Sequence, residues 1–76
     1  MALNQRKIEQ LKNWTVGQRV KVADERGPDI VWATVVDIDR DFRWFVVEWD
    51  QSGFIDRESV NDIDTFETNG SIRMDP

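Results

Sequence analysis

A chain of 76 residues with no cysteine, no histidine and a formal net charge of −5 is bounded before any motif is read. Its length allows one small domain, near the lower limit for an unstapled core, and without cysteine neither a disulfide nor a thiolate–zinc site can reinforce it. Lacking histidine as well, it has neither the usual general base nor the commonest metal ligand, so the reading is non-enzymatic, with no catalytic residue, metal or cofactor.

In chain order, residues 1–13 (MALNQRKIEQLKN) have helix-forming composition, with Ile8 and Leu11 three apart and Asn4 as a candidate cap. Two or three turns are marginal alone in water, so this stretch is an N-terminal helix if Ile8 and Leu11 dock on the rest, and otherwise a tail. From Trp14, residues 15–18 (TVGQ) read as a turn into Arg19-Val20-Lys21-Val22, whose alternation sends Val20 and Val22 to one face. The loop at residues 23–29 carries Gly27-Pro28, a turn signal. A second strand is expected over Ile30–Ile38, with a bulge or bend, because Ala33 and Val35 share a face that is then taken up by Ile38. A third strand is expected over residues 42–49, with Phe45, Val47 and Trp49 in the core and Trp44, Val46 and Glu48 on the opposite side. The spacing then predicts a hairpin loop at residues 50–53, a fourth strand at 54–56, a helical turn at 57–60 and a fifth strand at 62–66. The remaining residues read as a flexible C-terminal tail, with Ile72 and Met74 able to touch the surface.

Five short strands, a bent second strand and a helical turn before the fifth describe an all-β fold, a five-stranded SH3-like (Tudor-like) barrel over residues 14–66, flanked by 1–13 and 67–76. A curled antiparallel sheet with a sandwich-like core is the competing architecture.

The segment Trp14-x-Val16-Gly17-x-x-Val20, the loop glycine, Ala33-Thr34-Val35 and Ile38-Asp39 resemble the opening of Tudor domains. Val16-Gly17, Gly27, Ala33-x-Val35, Val46-x-Glu48-Trp49 and Asp56-x-Glu58-Ser59-Val60 look more specifically like the N-terminal domain of kinesin-13 motors. The likeness covers residues 14–63 and implies a microtubule-associated, non-motor targeting or regulatory domain; no phosphate-binding GxxxxGK[ST] stands in this chain. It departs from the methyl-arginine readers at the cage itself, whose aromatic positions align with Asp24, Val31 and Glu48. Against the kinesin-13 pattern, the loop after Trp49 is shorter and Arg57 replaces a leucine.

Charge is divided along the chain. Residues 1–23 hold five basic side chains against Glu9, whereas residues 24–76 hold five arginines against fourteen carboxylates. An acidic folded part disfavours nucleic acid and favours a protein or peptide partner of basic character. No apolar run reaches the roughly 20 residues that span a bilayer, and no signal-peptide stretch opens the chain, so the expectation is an intracellular protein (cytoplasm, cytoskeleton or nucleus), monomeric as an isolated domain, with no membrane partner.

Candidate partner-binding residues are Trp32, Trp44, Val46 and Phe54 as apolar anchors, with Glu48 and Asp50 beside them for a basic side chain. Two readings of Trp32 and Trp44 stay open: they serve a partner, or the N-terminal helix or the tail covers them. A Tudor-type reader of methylated lysine or arginine with a rebuilt cage is the alternative function. Asp37, Asp39, Asp41 and Glu48 fall at the spacing of a calcium loop, but Phe42 occupies the position that needs glycine and the flanks read as strands.

Overall fold

The computed structural model describes residues 2–23 and 30–68. The order is α1 (Ala2–Lys12), β1 (Arg19–Ala23), β2 (Ile30–Ile38), β3 (Trp44–Trp49), β4 (Ile55–Ser59), a 3₁₀ helix η1 (Val60–Thr65) and β5 (Glu67–Thr68). The strands make one antiparallel sheet ordered β4-β3-β2-β1-β5. Among the described residues its edges, β4 and β5, do not pair with each other, so the sheet is open where the sequence reading expects a closed barrel.

The helix is part of the fold. Ala, Leu, Gln, Arg, Lys and Glu favour helix, and Gln5 donates to Glu9 across one turn at 3.3 Å. Tertiary contact holds it: Leu11 is fully buried, Ile8 packs beside it, and Lys7 Nζ donates to the Asn61 carbonyl of η1 at 2.7 Å. The turn after Trp14 places Gly17 at φ +99°, a left-handed value suited to glycine, and its N–H donates to the Val35 carbonyl at 2.7 Å.

The expected bulge lies in β2. Val35 pairs with Val47 but Asp37 with Val46, leaving Val36 as the extra residue and restoring Ile38 to the side of Phe45. The inner face therefore carries Val20, Ala33, Val35, Phe45 and Val47, all fully buried. Leu11, Trp14, Val60, Ile63 and Phe66 close over them. Phe66 sits edge-on to Phe45 at 5.2 Å and lies 6.0 Å from Trp49, while Trp14 meets Phe45 at 5.0 Å. Trp49 is half-buried and donates its indole N–H to Asp56 at 2.8 Å.

Several boundaries differ from the sequence reading. The third strand starts at Trp44 because Phe42, at φ +60°, belongs to the turn, its N–H bonded to the Asp39 carbonyl at 2.9 Å. β4 runs to Ser59, so residues 57–59 are strand where a helical turn is expected. Residues 62–65 are helical where the fifth strand is expected, and that strand is instead Glu67–Thr68, paired with Val20 and Lys21. The cause is spacing: Val60, Ile63 and Phe66 recur every three residues, the 3₁₀ period, and all three are buried. Ser59 starts the turn, its hydroxyl accepting from the Asn61 N–H at 3.0 Å. The loop over 24–29, Leu3 and Asn4 as side chains, and the tail with Ile72 and Met74 lie outside the described residues. Among the described residues no helix is long and apolar enough to cross a membrane.

Candidate interaction surface

Strand alternation that buries one face leaves the other to Arg19, Lys21, Trp32, Thr34, Trp44, Val46, Glu48, Ile55 and Arg57. None of these belongs to the core cluster, and Trp32, Trp44 and Val46 are not among the half-buried apolar side chains packed against it. α1 docks on the inner side through Leu11, so it does not roof the two tryptophans. Both indoles are half-buried beneath cations of their own sheet. The Arg19 guanidinium stands 5.5 Å and the Lys21 ammonium 5.6 Å from the Trp32 ring, and Arg57 stands 5.3 Å from Trp44.

The register separates the candidate residues into two ends and a stripe. Trp32 lies beside Asp50, whose N–H donates to the Trp32 carbonyl at 3.0 Å. Asp50 is six residues along β3 from Trp44, so at about 3.4 Å per residue the two tryptophans are anchored about 20 Å apart. Trp44, Val46 and Glu48 run between these ends along the outer side of β3. Phe54, 70% exposed, shares the phase of Trp49 and Asp56 and so lies off the stripe, on the other side of the sheet. Five residues of this surface are not among the sequence candidates: Arg19, Lys21, Thr34, Ile55 and Arg57. For the first two the signal was present, since the alternation that buries Val20 sends both cations toward Trp32.

Arg19 is pinned from two sides. Its Nη1 donates to Asp50 Oδ1 and to Thr34 Oγ1, each at 2.8 Å, and its Nη2 donates to Asp50 Oδ2. These bonds hold the Asp50 carboxyl below its ordinary range and raise the guanidinium, with direct charge attraction adding to them. So exposed a pair adds little to stability. Its effect is positional, fixing Arg19 over Trp32.

On the inner side, at the β4 edge, Glu58 is in the opposite situation. Partial burial pushes its carboxyl up, and the nearby charges of Asp56 and Asp62 push it further. A carboxyl whose folded-state pKa is raised costs the fold more to ionise than the unfolded chain. Stability therefore falls as pH rises from the ordinary glutamate range through the raised value, and is whole below it. Glu58→Gln should consequently be more stable than wild type at neutral pH, with the gap closing in acid. Urea unfolding at several pH values checks this; a variant less stable at neutral pH would show that the carboxylate has a stabilising partner.

The Ser52 hydroxyl and the Asp37 and Asp39 carboxylates are occupied locally. Ser52 Oγ accepts from the Phe54 N–H at 3.1 Å, and Asp37 and Asp39 accept from the N–H groups of Ile38 and Arg43. Among the described residues no three His, Cys, Asp or Glu side chains converge as a metal site. No protein-family model matches the chain, and a search of the curated proteins returned no match.

Proposed function

We propose that this chain is a non-catalytic protein-interaction domain of SH3-like (Tudor-like) architecture, an adaptor or targeting module of the kind the kinesin-13 likeness implies. The bulged β2, the strand order and the helical turn between β4 and β5 support that architecture. One observation carries the function: Trp44 and Val46 stand on the outer side of β3, away from the core, on a strand paired on both flanks. A rigid apolar stripe bordered by charge suits docking of a protein segment, with Glu48 taking a basic side chain and Asp50, engaged by Arg19, fixing that cation over Trp32 at the stripe's far end. Phe54 contributes from the hairpin end instead of from the stripe.

Comparative capture with the wild-type domain and Trp44→Ala as baits tests this reading. A specific partner should be retained by the first and lost by the folded second; equal retention would remove the stripe from the site.

The methyl-reader alternative has its own support, because two cations already seat against Trp32. A methylated side chain would have to displace Lys21 or Arg19 from that ring. Titration with methylated and unmethylated histone-tail peptides separates the readings: a reader prefers the methylated form, and a docking module takes both alike.

A further inference from the structure

β4 is an edge strand whose outward groups follow from the register. The Trp49 N–H donates to the Phe54 carbonyl and the Val60 N–H to the Arg43 carbonyl, each at 2.9 Å. Antiparallel pairs alternate, so residues 54, 56, 58 and 60 turn their main-chain groups toward β3, and Ile55 and Arg57 turn theirs away from the sheet. Among the described residues no strand pairs with that edge. Its side chains differ by face: Ile55, 62% exposed, stands with Arg57 on the outer side, and Phe54 stands with Asp56 and Glu58 on the inner side.

We propose that the β4 edge takes an extended segment of a partner protein as a sixth strand, with basic residues at alternate positions. This goes beyond docking on the outer stripe and uses the main-chain edge of β4 and its inner-side carboxylates, sharing only Ile55 and Arg57 with the outer surface. The guest's main chain pairs with Ile55 and Arg57. Its basic side chains meet Asp56 and Glu58, with Asp62 of η1 behind them and Phe54 beneath their aliphatic stems. Its intervening apolar side chains lie along Ile55. Charge selects this occupant over a second copy of the chain. Symmetric antiparallel pairing of two β4 strands about Arg57 would set Arg57 against Arg57 and Asp56 against Glu58, like charges at the three central positions. A basic guest instead sets its charges beside Asp56 and Glu58, the two carboxylates on that face of β4.

The test is a titration of the full chain with a capped Lys-Val-Lys-Val-Lys peptide, followed by amide NMR shifts, beside a Glu-Val-Glu-Val-Glu control. Saturable shifts centred on residues 54–60 with the lysine peptide alone are expected. Arg57→Pro deletes an outward N–H at a position where an edge strand tolerates proline, and should weaken binding about fivefold or more. Glu58→Gln keeps the main-chain pairing, relieves the carboxylate crowding and should weaken binding by a similar factor, covering the case in which proline unfolds β4. Undiminished binding by a folded Arg57→Pro or by Glu58→Gln would overturn the proposal. So would binding that requires removal of residues 69–76, which would assign the edge to the chain's own C-terminal residues. Shifts centred on Trp32, Glu48 and Asp50 would also overturn it while leaving the outer-stripe reading standing.

Discussion

Phe45→Ala is expected to remove most of the domain's stability. Phe45 is fully buried at the start of β3, edge-on to Trp14 at 5.0 Å and to Phe66 at 5.2 Å. Truncating such a ring costs about 3–5 kcal/mol through lost burial and the cavity left behind. At roughly 0.05–0.15 kcal/mol per residue, so short a chain has about 4–11 kcal/mol in all, and without disulfide or metal the lower part of that range applies. The urea midpoint, followed by tryptophan fluorescence, should fall close to zero denaturant. A near-normal midpoint would mean that the three aromatic rings do not form the centre of the core.

Leu11→Ala is expected to cost about 2–5 kcal/mol, which is more than an 11-residue helix on the rim of a sheet would suggest. Leu11 is fully buried and belongs to the same cluster as Phe45 and Ile63. α1 is thus a lid on the core, held to η1 by Lys7, which also pairs with Asp64 at 3.7 Å. Lys7→Ala, which removes one hydrogen bond and an ion pair to an exposed carboxylate but leaves no core cavity, should cost less. Were the two variants equally mild in urea melts, the helix would be an appendage and the sheet would fold without it.

The parts legible in the sequence are those written in period two. β2, the phase switch at its bulge and the division of β3 into core and outer sides all follow from alternation between small, β-branched or aromatic residues and polar ones. The stretch after Ser59 was harder, because Asp62, Ile63, Asp64 and Thr65 also alternate and mimic a strand. The three-residue recurrence of Val60, Ile63 and Phe66 outweighs that alternation, since a 3₁₀ helix buries all three while a strand would split them between faces. The docking of α1 depends on a surface formed by η1, some fifty residues later, and no local pattern reveals it. Of the covers the sequence offers for Trp32 and Trp44, α1 docks on the inner side and the tail beyond Thr68 lies outside the described residues; Arg19, Lys21 and Arg57 stand over the two rings from neighbouring strands, a placement that follows only once the strand pairing is known.

The proposed division of β3 into a core side and a partner side can be tested at two adjacent residues. Trp44 is half-buried on the outer side, and Phe45 is fully buried on the inner side. The decisive measurement is the urea midpoint of Trp44→Ala set beside that of Phe45→Ala. Trp44→Ala should lose only about 1 kcal/mol, the scale of a partly covered aromatic, and stay folded where Phe45→Ala does not. If Trp44→Ala proved as damaging as Phe45→Ala, the outer tryptophan would belong to the core and the stripe would cease to be a docking surface.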